Sequence, residues 1–239
     1  MGGFGLEELL LPAFLVVLMF FCYRLRKLTL LGCLAAGVVG LSVYLADHYR
    51  GLLLLLVFFV LSVIATSHKK AFKFKLHPQA GQANGRTAAQ VFANGGVAAI
   101  CALLGVFDEE HLPVYLVMLA SSLASALADT LSSELGIVYG RRYYNALTFK
   151  KDTNGLDGVI SIEGTIIGAL GALLVSFSFA GFSIIAVLIG LAGVIGNFSD
   201  SLIGATLERK GFIGNNFVNF LNTLIAAVVG LLGYQLIVT

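Results

Sequence analysis

The sequence predicts an all-α protein, a polytopic bundle of about eight membrane-spanning helices. Apolar residues make up 58% of the 239-residue chain. Charged residues make up 12%, about half the ~25% of soluble domains. The charges also fall mostly between long uncharged runs rather than within them. A crossing needs about 20 mostly apolar residues, because only a helix or a closed barrel satisfies its own backbone in lipid. This composition excludes a disordered chain, a secreted disulfide scaffold and an ordinary cytosolic enzyme. A single integral membrane domain, residues 1–239, is expected.

The first run, Leu9–Tyr23, follows an N-terminus without the basic segment of a signal peptide, so it reads as a retained helix. It is short enough to be re-entrant or interfacial instead of spanning. Leu28–Ala46 and Gly51–Ser67 come next, then Thr87–Phe107 and Leu112–Ala128. Gly164–Ser199 has 36 residues, and a straight helix of that length would reach ~54 Å. That is too long for one crossing, and a fold-back is expected near Ser176–Gly181. Gly211–Thr239 supplies the last span, after Asn216. With eight spans, 14 of the 15 basic residues fall in loops on one side and Arg50 alone on the other. By the positive-inside rule the loops Arg24–Leu28, His68–Arg86, Arg141–Asp157 and Glu208–Asn215 are cytoplasmic and both termini are outside. The basic run Lys69–Lys75 reads first as an anchor at the anionic leaflet and second as a phosphate-binding arm.

Cys22, Cys33 and Cys101 show no metal spacing, and His48, His68, His77 and His111 form no HExxH pair, so histidine-based zinc chemistry is not expected. The informative residues are polar ones inside spans. A carboxylate at the centre of a span costs ~2.5–3.5 kcal/mol on insertion scales, so intramembrane acids are functional candidates. The fifth span carries Asp129, Ser132 and Ser133 on one face, followed by Glu134. The sixth opens with Ser161, Glu163 and Thr165. The seventh carries Asn197, Asp200, Ser201 and Gly204 on one face, and the eighth a stripe of Asn215, Asn219 and Asn222. The fourth opens with Asn84, Gly85 and Arg86 and continues through Gln90 and Asn94. With the predicted directions, five segments place these groups at the same, cytoplasmic, depth. Ser132, Ser199, Gly164 and Gly168 by themselves read as helix-packing residues, and the asparagines of the eighth span could be interhelical glue. Asp129-Thr130-Leu131 and Asp200-Ser201-Leu202 also suggest a tandem hairpin repeat in the C-terminal half, and sites commonly lie at such repeat interfaces.

Carboxylates, amides and hydroxyls beside Lys and Arg suit a hard cation such as Mg²⁺ with phosphate oxygens completing its shell. Neither a GxxxxGK[ST] loop nor a kinase-type GxGxxG is present. Polar chemistry at one face of a lipid-embedded bundle suits a lipid phosphate acceptor, head at the site and chain among the helices. Nucleic acid is not an expected partner; the bilayer is. Intramembrane acids and Gly-rich helices also describe a cation-coupled transporter, whose path would need polar lining in the outer half as well.

Four stretches carry a resemblance: Gln90–Gly96, Ala128–Gly136, Asp157–Thr165 and Gly196–Leu207, with Asn216–Thr223 similar too. In this order and spacing, from about residue 82 to the end, they resemble the domain-of-unknown-function 92 family of integral membrane proteins. That family includes transmembrane protein 19 and a plant phytyl-phosphate kinase. The resemblance implies a core over 82–239, with 1–67 as peripheral helices. It implies a membrane kinase that converts an isoprenyl monophosphate to the diphosphate with a nucleoside triphosphate, CTP favoured. The roles expected on that basis are catalysis by Asp129, Glu134, Glu163 and Asp200, with metal held by Asp129, Asp200 and Glu163. Substrate and nucleotide would be bound by Asn84, Arg86, Gln90, Asn94, Ser133, Lys150, Lys151, Asn197, Ser201, Asn219 and Asn222.

Overall fold

The structure, a computed structural model, describes residues 16–76 and 85–238. Among them, six helices are long and apolar enough to cross a membrane. Helix α1 is described over residues 16–24. Helix α2, Leu30–Ser67, has 38 residues and would extend about 57 Å if straight. It doubles back. Asp47 (φ −134°, ψ 18°) and His48 (φ 46°, ψ −136°) are non-helical, and Lys27, ahead of the first turn, donates to Ser67 Oγ in the last at 2.9 Å. Residues 30–46 and 49–67 are therefore two antiparallel arms, corresponding to the predicted spans Leu28–Ala46 and Gly51–Ser67.

The remaining elements are α3 (Lys70–Leu76), α4 (Ala88–Phe107), a 3₁₀ turn (Glu109–His111), α5 (Leu112–Tyr139), β1 (Tyr143–Asn145), β2 (Val159–Ser161), α6 (Ile162–Ala180), α7 (Ile184–Ile203), a π-helical turn (Gly204–Glu208) and α8 (Asn215–Val238). Counting the arms of α2 separately gives seven crossings among the described residues. Helix α1 lies against the first arm, where Cys33 Sγ meets Met19 O at 3.5 Å.

Local chemistry sets the element ends. Thr87 and Gln90 form a capping box that opens α4: Gln90 N donates to Thr87 Oγ1, and Thr87 N donates to Gln90 Oε1. The fold-back of the long apolar run falls at Gly181–Ser183, just past the expected stretch. Gly181 ends α6 at φ 58°, a conformation that favours glycine, and Ser183 Oγ accepts from Ala186 N to start α7.

Helix α5 is the hub and packs against α2, α4, α6, α7 and α8. Every residue from Leu119 to Asp129 is buried, as expected of a helix surrounded on all faces. It also continues to Tyr139, beyond the uncharged run that ends at Ala128, because neighbouring helices pack around its polar turn. Small residues bring α6 against it. A Cβ on Gly164 would lie 2.7 Å from Ser132 O, and one on Gly168 2.8 Å from Ala128 O.

The loops sort cleanly between the two ends. At one end Leu28 bridges to Arg86, His68 stacks on Tyr139, and Arg209 reaches Asp152 at 2.8 Å. At the other, Arg50 donates to Phe179 O at 2.6 Å and lies over the Phe179 ring. The all-α expectation needs one correction outside the spans. Within and just after the expected loop Arg141–Asp157, β1 and β2 pair antiparallel, with Tyr143 opposite Ser161 and Asn145 opposite Val159. Aromatic and β-branched residues at these positions favour the extended form. Asn145 Oδ1 accepts from Leu147 N and Thr148 N at 3.0 Å each, which turns the chain after β1.

Candidate active site

The basic end of the bundle carries a polar core built from α5, α7 and α8. Asp129 on α5 and Asp200 on α7 are neighbours whose charges act on each other. Ser133, one turn further along α5, lies beside Asp129. From α8, the fully buried Asn222 donates through Nδ2 to Asp200 Oδ2 at 2.6 Å. The same amide accepts from Ser125 Oγ at 3.0 Å, so both of its polar ends are used and the orientation of Asp200 is fixed. On the α6 side, Ser132 donates to Asn197 Oδ1 at 3.0 Å.

Beside this core is a polar cavity of about 220 Å³. Its walls include Ser132, Ser133, Asn197, Asp200 and Ser201 from the helices, with Asp157, Glu208 and Asn215 from the connecting segments. Glu208 closes the π-helical turn and lies close to Asp157, Asp200 and Asn215. The β1–β2 segment is pressed onto that turn at Gly158. This residue has φ +70°, and a Cβ there would lie 2.1 Å from Ala205 N. Glycine is therefore required on both conformational and steric grounds. Arg209 clasps the same segment through Asp152, and this hydrogen bond holds the Asp152 carboxyl below the ordinary carboxylate range.

Arg86, Gln90 and Asn94 lie elsewhere, on a larger apolar cavity of about 500 Å³ between α1, α2 and α4. Burial lowers the pKa of Arg86, against the opposing attraction of Glu134 and Asp129. The expected binding residues thus divide between two cavities, with the polar turn of α5 near both.

Several expected residues are not gathered at the acid pair. Glu163 is half-buried in the first turn of α6, where its Oε2 accepts from Arg141 N at 3.3 Å. An acid there interacts favourably with the helix terminus. The expected set of Asp129, Asp200 and Glu163 is accordingly not one cluster. Among the described residues, no three His, Cys, Asp or Glu side chains are grouped so as to hold a metal by themselves. Lys150 and Lys151 are exposed on the far turn of the β1–β2 segment and line neither cavity. Glu134 pairs with Lys73 at 2.5 Å, and Lys73 also donates to Ala65 O and Thr66 O at the end of α2. Asn219 has a buried Oδ1 without a partner among the described residues. Asn84 lies outside the described residues. Sequence reading missed Glu208, Asp157 and Lys73 as site residues. Asp157 and Gly158 stand inside a stretch already recognised, and the glycine beside the acid was the available signal.

Fold and site together define a polytopic membrane helix bundle with two neighbouring acids at one end, Asp129 buried and Asp200 half-buried. The chain belongs to the integral membrane protein family DUF92, which matches residues 13–227. The match takes in α1 and α2 as well as the part from residue 82 onward. Relatives include an uncharacterised membrane protein of Methanocaldococcus jannaschii, 36% identical over 210 residues that cover 85% of this chain and 84% of that one. The chloroplastic protein VTE6 of Arabidopsis thaliana is 30% identical over 220 residues, covering 86% of this chain and 65% of VTE6. An uncharacterised membrane protein of Synechocystis is 28% identical over 232 residues, covering 95% and 90%. No solved structure matches the chain.

Proposed function

We propose that this protein is an integral membrane kinase. It transfers a phosphoryl group from a nucleoside triphosphate, CTP favoured, to an isoprenyl monophosphate such as phytyl or geranylgeranyl phosphate, giving the diphosphate. The observation that carries the reading is the Asp129–Asp200 pair, fixed by Asn222 and opening on a polar cavity. The family resemblance supplies the substrate class.

Two adjacent acids shielded from solvent on most sides repel unless a proton or cation lies between them, and their hard oxygen donors fit Mg²⁺. Asp129 and Asp200 would hold the ion; bound there, it neutralises charge on the phosphate oxygens. Asn222 keeps Asp200 oriented, while Ser133, Asn197 and Ser201 offer hydrogen bonds to phosphate or ribose. Arg86, near enough to Asp129 to feel its charge, would attract the acceptor phosphate. An oxygen of the acceptor monophosphate attacks the γ-phosphorus, and the bond from that phosphorus to the bridging oxygen breaks. The nucleoside diphosphate then leaves with the bond's electrons. The acceptor is already an anion, so no side chain need act as general base.

With the basic loops inside, the site opens to the cytoplasm and both termini lie outside. Against the transporter reading, the middle of α5 offers no charged group: Leu119, Leu123 and Leu127 are fully buried there beside the small hydroxyls of Ser121, Ser122 and Ser125. The test is purified protein in liposomes, given radiolabelled nucleotides and a panel of prenyl monophosphates with and without Mg²⁺. Labelled prenyl diphosphate formed only with Mg²⁺ is the expected result. Cation or solute flux with no diphosphate from any pair would overturn the reading.

A further inference from the structure

The 500 Å³ cavity falls within the ~300–1,000 Å³ usual for small-molecule sites, and its polarity is lopsided. It follows the α2 hairpin from Leu28, at the basic end, to Tyr49 and Leu52 beside the kink. Between positions 28 and 40 that path is about 18 Å at helical rise. The walls are almost wholly apolar, with Phe58 and Phe59 on one side and Val91 on another. All of the lining's charged and amide groups, Arg86, Gln90 and Asn94, come from the stretch that opens α4. The Arg86 guanidinium has no hydrogen bond or ion pair among the described residues, while Asp129 and Glu134 act on it through space. Asn94 Oδ1 is buried there without a partner among the described residues. An occupant must therefore have a long apolar chain and an anionic head that accepts from a guanidinium, with the head near the acid pair.

We propose that this cavity is the chain-binding site for the prenyl monophosphate acceptor, with its phosphate on Arg86 and its tail running along α2 toward Asp47. The proposal rests on the kinase reading above for its substrate class. It makes the two N-terminal arms part of substrate selection, with chain length read by the distance from Arg86 to the kink.

Two measurements test it. In the first, wild-type protein in nanodiscs is photolysed with geranylgeranyl phosphate carrying a diazirine on its last isoprene unit. Crosslinks are expected on α2 near the kink and on the facing part of α4, competed by unlabelled geranylgeranyl phosphate and not by phosphatidic acid. Absence of crosslinks on α2 would overturn the proposal. So would equal competition by phosphatidic acid, which would mark a general lipid niche. In the second, Gly40→Leu narrows the cavity partway along, about 18 Å from Leu28 at helical rise. Its KM should rise at least ~10-fold more for geranylgeranyl phosphate than for geranyl phosphate, because burial scales with the methylene groups excluded. A uniform change across geranyl, farnesyl and geranylgeranyl phosphates would overturn the proposal. Specific crosslinking on α2 without phosphoryl transfer would refute the kinase and leave the chain site. Transfer with crosslinks confined to α6–α8 would refute the chain site and leave the kinase.

Discussion

Asp129 and Asp200 were legible in the sequence because an acid within an apolar run is costly and must have a reason. Their partners were less so. Asn222 could have been interhelical glue or a ligand-binding group, and only its 2.6 Å contact with Asp200 identifies it as the residue that orients that acid. Glu163 looked equivalent to the aspartates by composition, yet one position at a helix start turned it toward Arg141 N and away from the pair. In Asp129→Asn and Asp200→Asn the side chain keeps its size and loses its charge. Kinase kcat should fall at least ~10²-fold, about 2.7 kcal/mol, the scale of one lost electrostatic contact to the transition state. The double variant should be scarcely worse than either single, since groups that act as a unit are not additive. Both singles should remain folded, because removing a charge eases insertion. Turnover and thermal unfolding of the three variants check this, and near-normal turnover in well-folded singles would exclude these acids from the chemistry.

Among the elements, α3 has the least room to be stable alone, at seven residues. Lys73 secures it by donating to Ala65 O and Thr66 O at the end of α2 and pairing with Glu134 of α5. Lys73→Met should lower stability by about 1.5–3 kcal/mol, the range for hydrogen bonds to a charged group. Adding Glu134→Gln should restore part of that loss, because the stranded carboxylate is then neutral. Unfolding of the purified variants gives both numbers. The β1–β2 segment is held by the Arg209–Asp152 contact, whose sign with pH is fixed. A carboxyl with a folded pKa below its unfolded value stabilises above the unfolded pKa, about 3.9, and loses that contribution as pH falls through the folded one. The difference in Tm between wild type and Asp152→Asn should therefore be full above about pH 5 and shrink on acidification below the carboxylate range. A difference that grows on acidification would contradict the assignment. That segment was expected as a plain loop, because short strands outside the bilayer leave no long periodic signal.

For the whole molecule, the basic segments that the sequence places on one side do collect at one end of the bundle. With that end in the cytoplasm, Phe72→Cys and Leu147→Cys should resist a membrane-impermeant thiol reagent in intact cells. Phe182→Cys, at the exposed opposite turn, should react; labelling in the reverse pattern would invert the topology and move the site outside. The expected eight spans become seven crossings among the described residues; the sequence by itself determined the helical class, the multi-pass character and the segregation of charge. Each follows from a free energy of transfer that acts on one segment at a time, so a stretch such as Leu112–Ala128 declares itself without its neighbours. Only the tertiary structure decided which polar residues meet. Arg86 and Asn197 line different cavities, and Glu208 lies close to Asp200 through a π-helical turn pressed against Gly158. Depth is a one-dimensional property that hydropathy fixes, whereas rotation and neighbour choice depend on small-residue contacts such as Gly164 on Ser132, made between segments distant in the chain.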